Sequence, residues 1–163
     1  MTTLQKYLSI FWRSWNRLIT LLFLISTGMT VSLDSVRAQG NVRIGSFLAV
    51  TGPGSFIGAP ALATLKLYID LLNLQGGLLG RKVELIDYDV GVDTRTAQVA
   101  VRRLIDIDKV DVIIGGSTTG ASMAVLPIIN QAGIPFLALA GSTALVNPVR
   151  KWVFKTSQND RMA

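Results

Sequence analysis

Hydrophobic and polar positions along the chain predict strands and helices in regular alternation. The segments VRIGSFLAV (42–50) and KVELIDYD (82–89) have the composition and alternation of strands. The run VDVIIGG (110–116) is almost continuously apolar, which is typical of a strand buried on both faces. Two shorter segments, IPFLALA (134–140) and WVFKT (152–156), predict the last strands.

Helices are predicted between these strands. Apolar residues recur at three- and four-residue steps over residues 59–73, and Gln75-Gly76-Gly77 is a typical helix end. A second helix follows Asp93 or Thr94, either of which can cap it. A third is expected at 120–132, and the final SQNDRMA resembles the cap and first turn of another.

Strict alternation of strand and helix indicates an α/β fold with an open, mostly parallel sheet flanked by helices. Sheets of this kind bind ligands outside the carboxyl ends of their strands, where the strand order reverses. The three segments TGPGSFIG, GGSTTGAS and AGSTA follow predicted strands, and all are rich in glycine, serine and threonine. We therefore expect a binding site where these loops meet.

The first residues have the pattern of an export signal. Lys6, Arg13 and Arg17 precede the apolar run at 18–33, and the spacing of Val36 and Ala38 favours cleavage between Ala38 and Gln39. A retained membrane anchor is the alternative, but the run is short and interrupted by polar residues. We expect a signal peptide at 1–38, an exported chain from 39 to 163 in the periplasm or secreted, and membrane contact through the leader alone.

Composition narrows the chemistry. The 163 residues include no cysteine and no histidine, which excludes a disulfide framework, a thiol nucleophile and a Ser-His pair. Of the net charge of +6, residues 1–38 carry +3, so the rest carries 6 − 3 = +3 with acids and bases interleaved. This is a poor match to nucleic-acid binding, which uses a clustered basic face. We expect no nucleic-acid partner, no metal and no cofactor.

The segment GGSTTGAS is suited to an anion, because a helix start offers free amides and a favourable dipole. Simple capping by Ser117 or Thr119 is an equally good explanation. The P-loop lysine is absent, and Gly52, Gly54 and Gly58 imitate a dinucleotide fingerprint only loosely. If the chain were a dinucleotide-dependent oxidoreductase, Asp87 or Asp89 would bind the ribose of the dinucleotide. Otherwise we expect Asp87, Asp89 and Asp93 to be merely solvated.

The segments GSFLAVTGPGSFIG, GGLLGRKVEL and GGSTTGAS, in this order, resemble the start of the leucine/isoleucine/valine-binding proteins, the type I periplasmic solute receptors of ABC transporters. The resemblance extends from Asn41 to Ala163. It implies the Rossmann-like N-terminal lobe of a two-lobed receptor that closes on an amino acid or a related small carboxylate or amide. We expect the second lobe to be missing and a lone lobe to bind weakly.

The resemblance also implies ligand-binding positions. It assigns a pocket donor to Thr119 beside Ser117 and Thr118, a ligand-facing backbone carbonyl to Ala140, a contact to Ser142 and an aromatic wall to Phe56. The full-length protein would deliver its ligand to an ABC transporter permease, and no enzymatic activity is expected. The same lobe in the ectodomain of a ligand-sensing receptor remains an alternative.

Overall fold

Five strands form one parallel sheet in the order β2-β1-β3-β4-β5 in the computed structural model, which describes residues 40–158. The strands are β1 (Val42–Leu48), β2 (Val83–Asp89), β3 (Val112–Gly115), β4 (Phe136–Ala138) and β5 (Val153–Lys155). Every pairing is parallel, so the predicted fold class is confirmed. The predicted signal peptide with its Ala38–Gln39 cleavage site, and residues 159–163 of the predicted last helix, lie outside the described residues.

Three α-helices connect the strands: α1 (Ser55–Leu74), α2 (Thr94–Asp106) and α3 (Thr119–Ala132). The predicted caps are confirmed for α2, whose N-cap is Asp93, and for the end of α1 at Gln75. Helix α1 begins four residues before the predicted start at residue 59. The glycines that indicated a loop there are needed for packing, because a Cβ on Gly58 would lie 2.1 Å from the carbonyl oxygen of Ala49.

The two faces of the sheet are covered unequally. On one face, α2 and α3 pack over the sheet and bury the main core, which includes Phe47, Leu104, Ile113 and Phe136. On the other face, α1 contacts β1 and β2 and buries a smaller cluster of Val42, Ile69 and Val83.

The strand order creates a reversal of direction in the sheet. From β1 the chain passes to the edge strand β2 on one side and then returns to the central strand β3 on the other. The loops after β1 and β3 consequently lead away to opposite faces, which leaves a crevice at the carboxyl edge between them. The fold therefore positions the loop that follows β1 between the loops that follow β2 and β3.

Candidate functional site

The predicted binding loops meet at the carboxyl edge of the sheet. Phe47 of β1 pairs with Gly115 of β3, and Gly115 pairs with Ala138 of β4, so the loops after these strands start side by side. Their backbone amides and hydroxyl groups are the principal polar groups of this edge.

The start of α3 offers unpaired donors to this edge. Thr118 is the N-cap, and its Oγ1 accepts a hydrogen bond of 3.3 Å from the amide of Ala121. Within residues 40–158, the amides of Thr119 and Gly120 and the hydroxyl of Thr119 have no hydrogen-bond partner. These donors lie at the positive end of a helix of 14 residues, which is a favourable environment for an anion. The capping expected of Ser117 or Thr119 is wrong, because Thr118 caps α3.

Ser117 instead connects two loops. Its Oγ accepts a hydrogen bond of 3.0 Å from the amide of Ala49, which follows β1. The preceding Gly116 has a φ of 76°, in the left-handed region that favours glycine, and its carbonyl accepts a bond from the buried hydroxyl of Ser122. These contacts fix the path of the chain from β3 to α3 and attach it to the neighbouring loop.

Asp89, the last residue of β2, holds the same loop from its other side. Its Oδ1 accepts hydrogen bonds from the amides of Val50 (2.9 Å), Thr51 (3.3 Å) and Gly91 (3.0 Å), and its Oδ2 accepts one of 2.6 Å from the hydroxyl of Thr51. These bonds stabilise the ionised carboxylate, and the hydroxyl of Thr51 contributes most to lowering the pKa of Asp89 to about 2. The loop after β1 is therefore held by Ser117 and Asp89 together.

Phe56 lies in the first turn of α1, directly after this loop. Its side chain is 77% exposed, so it is available to a ligand or to another surface rather than part of the core. Its place is set by the close approach of α1 to Ala49, which the absence of a side chain at Gly58 permits. The structure thus brings Phe56 to the same edge as the start of α3, on the other side of the crevice.

The loop after β4 supplies the remaining predicted positions. Ala140 is buried, and its carbonyl oxygen accepts a hydrogen bond of 3.0 Å from the hydroxyl of Ser157. A carbonyl oxygen has two lone pairs, so one remains for a second donor. The Oγ of Ser142 accepts a hydrogen bond of 3.3 Å from the amide of Ala144 and caps a short 3-10 turn (Thr143–Leu145). The hydroxyl of Ser142 can still donate.

Asp87 and Asp89 lie in β2 and Asp93 follows it, and the expectation that these acids are merely solvated is wrong for Asp89 and Asp93. Asp89 binds the neighbouring loop, and Asp93 caps α2 by accepting a hydrogen bond of 2.7 Å from the amide of Thr96. Asp87 forms a partly exposed ion pair of 3.4 Å with Lys66. Because both oxygens of Asp89 already bind protein donors, a role for this residue in binding a ribose is not supported.

Several contributors to this edge have no clear signal in the sequence. Thr51 and Ser157 act through hydrogen bonds to Asp89 and to the carbonyl of Ala140, at sequence separations of 38 and 17 residues. The sequence indicated these contacts through one feature alone, the position of Asp89 at the end of a predicted strand.

Comparison with known proteins identifies the family to which this chain belongs. The profile of the periplasmic binding proteins matches residues 41–163. A Leu/Ile/Val-binding protein homolog 7 of Brucella abortus is 29% identical over 102 residues, which are 63% of this chain and 25% of that protein.

Solved structures of other proteins have the same fold as this chain. The branched-chain amino acid transporter substrate-binding protein LivJ of Streptococcus pneumoniae, in complex with isoleucine, matches with a TM-score of 0.70 and 25% identity over 74% of this chain and 34% of that one. A solute-binding protein of an ABC transporter from Rhodopseudomonas palustris, in complex with 3,4-dihydroxybenzoic acid, gives 0.67 and 26% identity over 74% and 33%. The chain spans about a quarter to a third of the length of these relatives.

Proposed function

Because the chain belongs to the periplasmic binding protein family, we propose that it forms one lobe of an extracytoplasmic solute-binding component of an ABC transporter, whose ligand is a branched-chain amino acid or a related small carboxylate. The observation that carries this proposal is the set of unpaired donors at the start of α3, the amides of Thr119 and Gly120 and the hydroxyl of Thr119.

The chemistry of these donors favours a carboxylate. A carboxylate accepts hydrogen bonds only, and free amides at a helix start donate them without needing a fixed positive charge. The two solved relatives described above hold isoleucine and 3,4-dihydroxybenzoic acid, which differ in side chain but both carry a carboxyl group. A carboxylate-binding site at the start of α3, with other residues contacting the rest of the ligand, is consistent with both molecules.

The remaining predicted residues have separate roles in this proposal. Phe56 would form an apolar wall, and the carbonyl of Ala140 with the hydroxyl of Ser142 would receive the ammonium or another polar group. Ser117 and Thr118 would shape this carboxylate-binding site, since both hydroxyls already accept hydrogen bonds from amides of the chain. No step of this function requires a catalytic base. A second lobe, a permease partner and a periplasmic location belong to the same proposal.

Titration of the protein with ligands, followed by nuclear magnetic resonance, tests the proposed carboxylate-binding site at the start of α3, because this method detects weak binding residue by residue. Isoleucine and 3,4-dihydroxybenzoate should shift the amide signals of Thr119 and Gly120, whereas isoleucinamide, which lacks the carboxylate, should not. Thr119→Val should weaken the response, and Thr64→Val, a matched change at a hydroxyl that donates within α1, should leave it unchanged. Carboxylates that leave the signals of Thr119 and Gly120 unmoved would contradict the proposal.

A further inference from the structure

Exposed aliphatic side chains lie along the edge of the sheet that is opposite the ligand-binding loops. Because all five strands are parallel, the loops that lead into them share this edge, which we call the amino edge. Leu79, Ile107 and Val149 lie in the loops before β2, β3 and β5, and they are 91%, 69% and 93% exposed. These strands are the first, third and fifth in the sheet, so the three loops are distributed over roughly 20 Å.

The backbone is strained at two places on the amino edge. Within residues 40–158, the non-glycine residues with a φ in the left-handed region are Leu79 (54°) and Lys109 (53°). Leu79 and Gly80 are the central residues of a tight turn, which is closed by hydrogen bonds of 2.8 and 3.0 Å between the backbones of Leu78 and Arg81. A positive φ at both central positions is typical of a type I′ turn, whose first central position favours asparagine, aspartate or glycine.

Leu79 is thus unfavourable in water for two reasons, its backbone conformation and its exposed apolar side chain. Leu74, which is 84% exposed, and Leu78, which is also exposed, lie at the same connection between α1 and β2. Three exposed leucines within six residues form a patch rather than the single apolar side chains that a protein surface ordinarily carries. A strained position is a reason to look for a function, and a contact that removes Leu79 from water would account for its presence.

The amino edge is also basic. Five basic residues lie in the loops before β2, β3 and β5: Arg81, Lys82, Lys109, Arg150 and Lys151. The same loops contain two acids, and both accept hydrogen bonds from the chain: Asp108 from the hydroxyl of Tyr88 (2.9 Å) and Asp111 from the amide of Arg43 (2.8 Å). The loops after the strands (49–54, 90–93, 116–118, 139–142 and 156–158) contain no lysine or arginine. Of the two edges of the sheet, the amino edge is therefore the positively charged one.

We propose that the amino edge docks onto an anionic lipid surface. In each of the three loops, the exposed aliphatic residue is followed within two residues by a lysine or arginine. Aliphatic side chains that reach the acyl region, with basic side chains among the lipid phosphates, are typical of proteins that bind at the membrane surface. A flat and fluid partner suits apolar residues distributed along a straight edge, because each of them can be buried without a pocket shaped to receive it.

Trp152 supports this choice of partner. It is the last residue before β5 and is half-buried, and the Nζ of Lys151 lies 4.9 Å from the centre of its ring. Tryptophan is enriched where a membrane meets water, since its ring is apolar and its N–H is polar. Lys151 and Trp152 together provide one cation and one amphipathic ring at the end of the amino edge next to β5.

The proposed surface lies at the other end of the strands from Thr119 and the loop after β1. A second lobe that closed over those loops would approach the carboxyl edge, which leaves the amino edge accessible. The proposal therefore does not rest on the proposed function, and neither result decides the other. It adds a second contact to the expectation that the chain meets the membrane through its leader alone.

Trp152 reports on the contact directly. Residues 40–163 lack the apolar run at 18–33, form a compact unit of their own and contain one tryptophan. Vesicles of equal parts phosphatidylglycerol and phosphatidylcholine, with brominated acyl chains, should quench the fluorescence of Trp152. Binding to vesicles of phosphatidylcholine alone should be at least ~10-fold weaker, and 0.5 M NaCl should weaken binding to the anionic vesicles.

Leu79→Asn separates the proposed contact from the stability of the fold. It should weaken binding to the anionic vesicles at least ~5-fold, because a leucine side chain no longer leaves water. It should also raise the thermal unfolding temperature measured by circular dichroism, because asparagine is favoured at this position of the turn. Lys151→Gln should weaken binding ~5-fold through the loss of one charge.

Two matched controls replace exposed apolar residues away from the amino edge. Val99→Asn on α2 and Tyr68→Asn on α1 should leave vesicle binding unchanged. Tyr68 is the stricter control, because Gly52–Leu74 is by length and composition apolar enough to cross a membrane. A loss of binding in Tyr68→Asn with none in Leu79→Asn would overturn the proposal and assign the lipid contact to α1.

Three other results would also overturn it. They are an absence of binding to the anionic vesicles, binding that Leu79→Asn leaves unchanged, and displacement from the vesicles by millimolar glycerophosphoglycerol. The last compound is the soluble headgroup of phosphatidylglycerol, so displacement would mean that charge alone accounts for binding and that the exposed leucines take no part.

Discussion

Replacement of Asp89 by asparagine isolates the charge that holds the loop after β1. Asparagine can still accept hydrogen bonds from the amides of Val50, Thr51 and Gly91 through its oxygen, and its amide group can donate to the hydroxyl of Thr51. The substitution therefore preserves the shape of the loop and removes only the ionic part of the interaction.

The magnitude follows from the pKa of Asp89, which is lowered from 3.8 to about 2. That difference corresponds to at most ~2.5 kcal/mol at neutral pH, and because Asp89 is exposed, screening by solvent reduces the expected contribution to about 1 kcal/mol. A carboxylate with a lowered pKa in the folded state stabilises the protein above its unfolded pKa, and this stabilisation is lost as the pH falls from about 4 to about 2.

Urea denaturation of the wild type and of Asp89→Asn between pH 7 and pH 2, followed by circular dichroism, measures this contribution. The variant should be less stable by about 1 kcal/mol at pH 7, and the difference should shrink toward zero near pH 2. Asp93→Asn serves as the control, because asparagine is an equally good N-cap, and it should have a much smaller effect. A deficit for Asp89→Asn that is absent at pH 7, or that is unchanged at pH 2, would refute the reasoning.

Two further predictions concern buried groups and use the same measurement at pH 7. Ser122→Ala should destabilise the fold by about 1–2 kcal/mol, because it leaves the buried carbonyl of Gly116 without its hydrogen-bond donor. Ser46→Ala should be neutral or stabilising, since the buried hydroxyl of Ser46 has no partner among the described residues. Equal losses of stability for both variants would contradict this reasoning. Gly58→Ala should cost at least about 2 kcal/mol, because its Cβ would lie 2.1 Å from the carbonyl oxygen of Ala49, and Gly40→Ala, where a Cβ meets nothing, should be tolerated.

The sequence was informative where local pattern determines structure. The alternation of apolar runs with amphipathic segments predicted all five strands, three helices and a cap at Asp93 or Thr94, since these depend on residues close together in the chain. The start of α1 was misplaced because Gly58 and Pro60 disfavour a helix locally, whereas the close packing of Gly58 on Ala49, a tertiary contact that the local pattern does not show, accommodates it.

The site was predictable in outline and not in its connections. The glycine- and hydroxyl-rich loops after strands were predicted to meet, and they do start side by side at the carboxyl edge, but the pattern did not distinguish residues that could face a ligand from those that hold a loop. Ser117 and Asp89 illustrate this, because their hydrogen bonds to Ala49, Val50 and Thr51 span 38 to 68 residues and depend on the strand order. Hydrogen bonds of this kind are fixed by tertiary structure, which one sequence does not display.

The attachment of the loop after β1 to both of its neighbours has a thermodynamic consequence. Ser117 and Asp89 restrict the amides of residues 49–51 before any ligand arrives. A ligand that contacted this loop would lose less of its binding free energy to the conformational entropy of ordering the loop, because the loop is already ordered. In the function proposed above, discrimination between solutes would depend on contacts formed with this already restricted loop, so related ligands should differ mainly in how fast they dissociate.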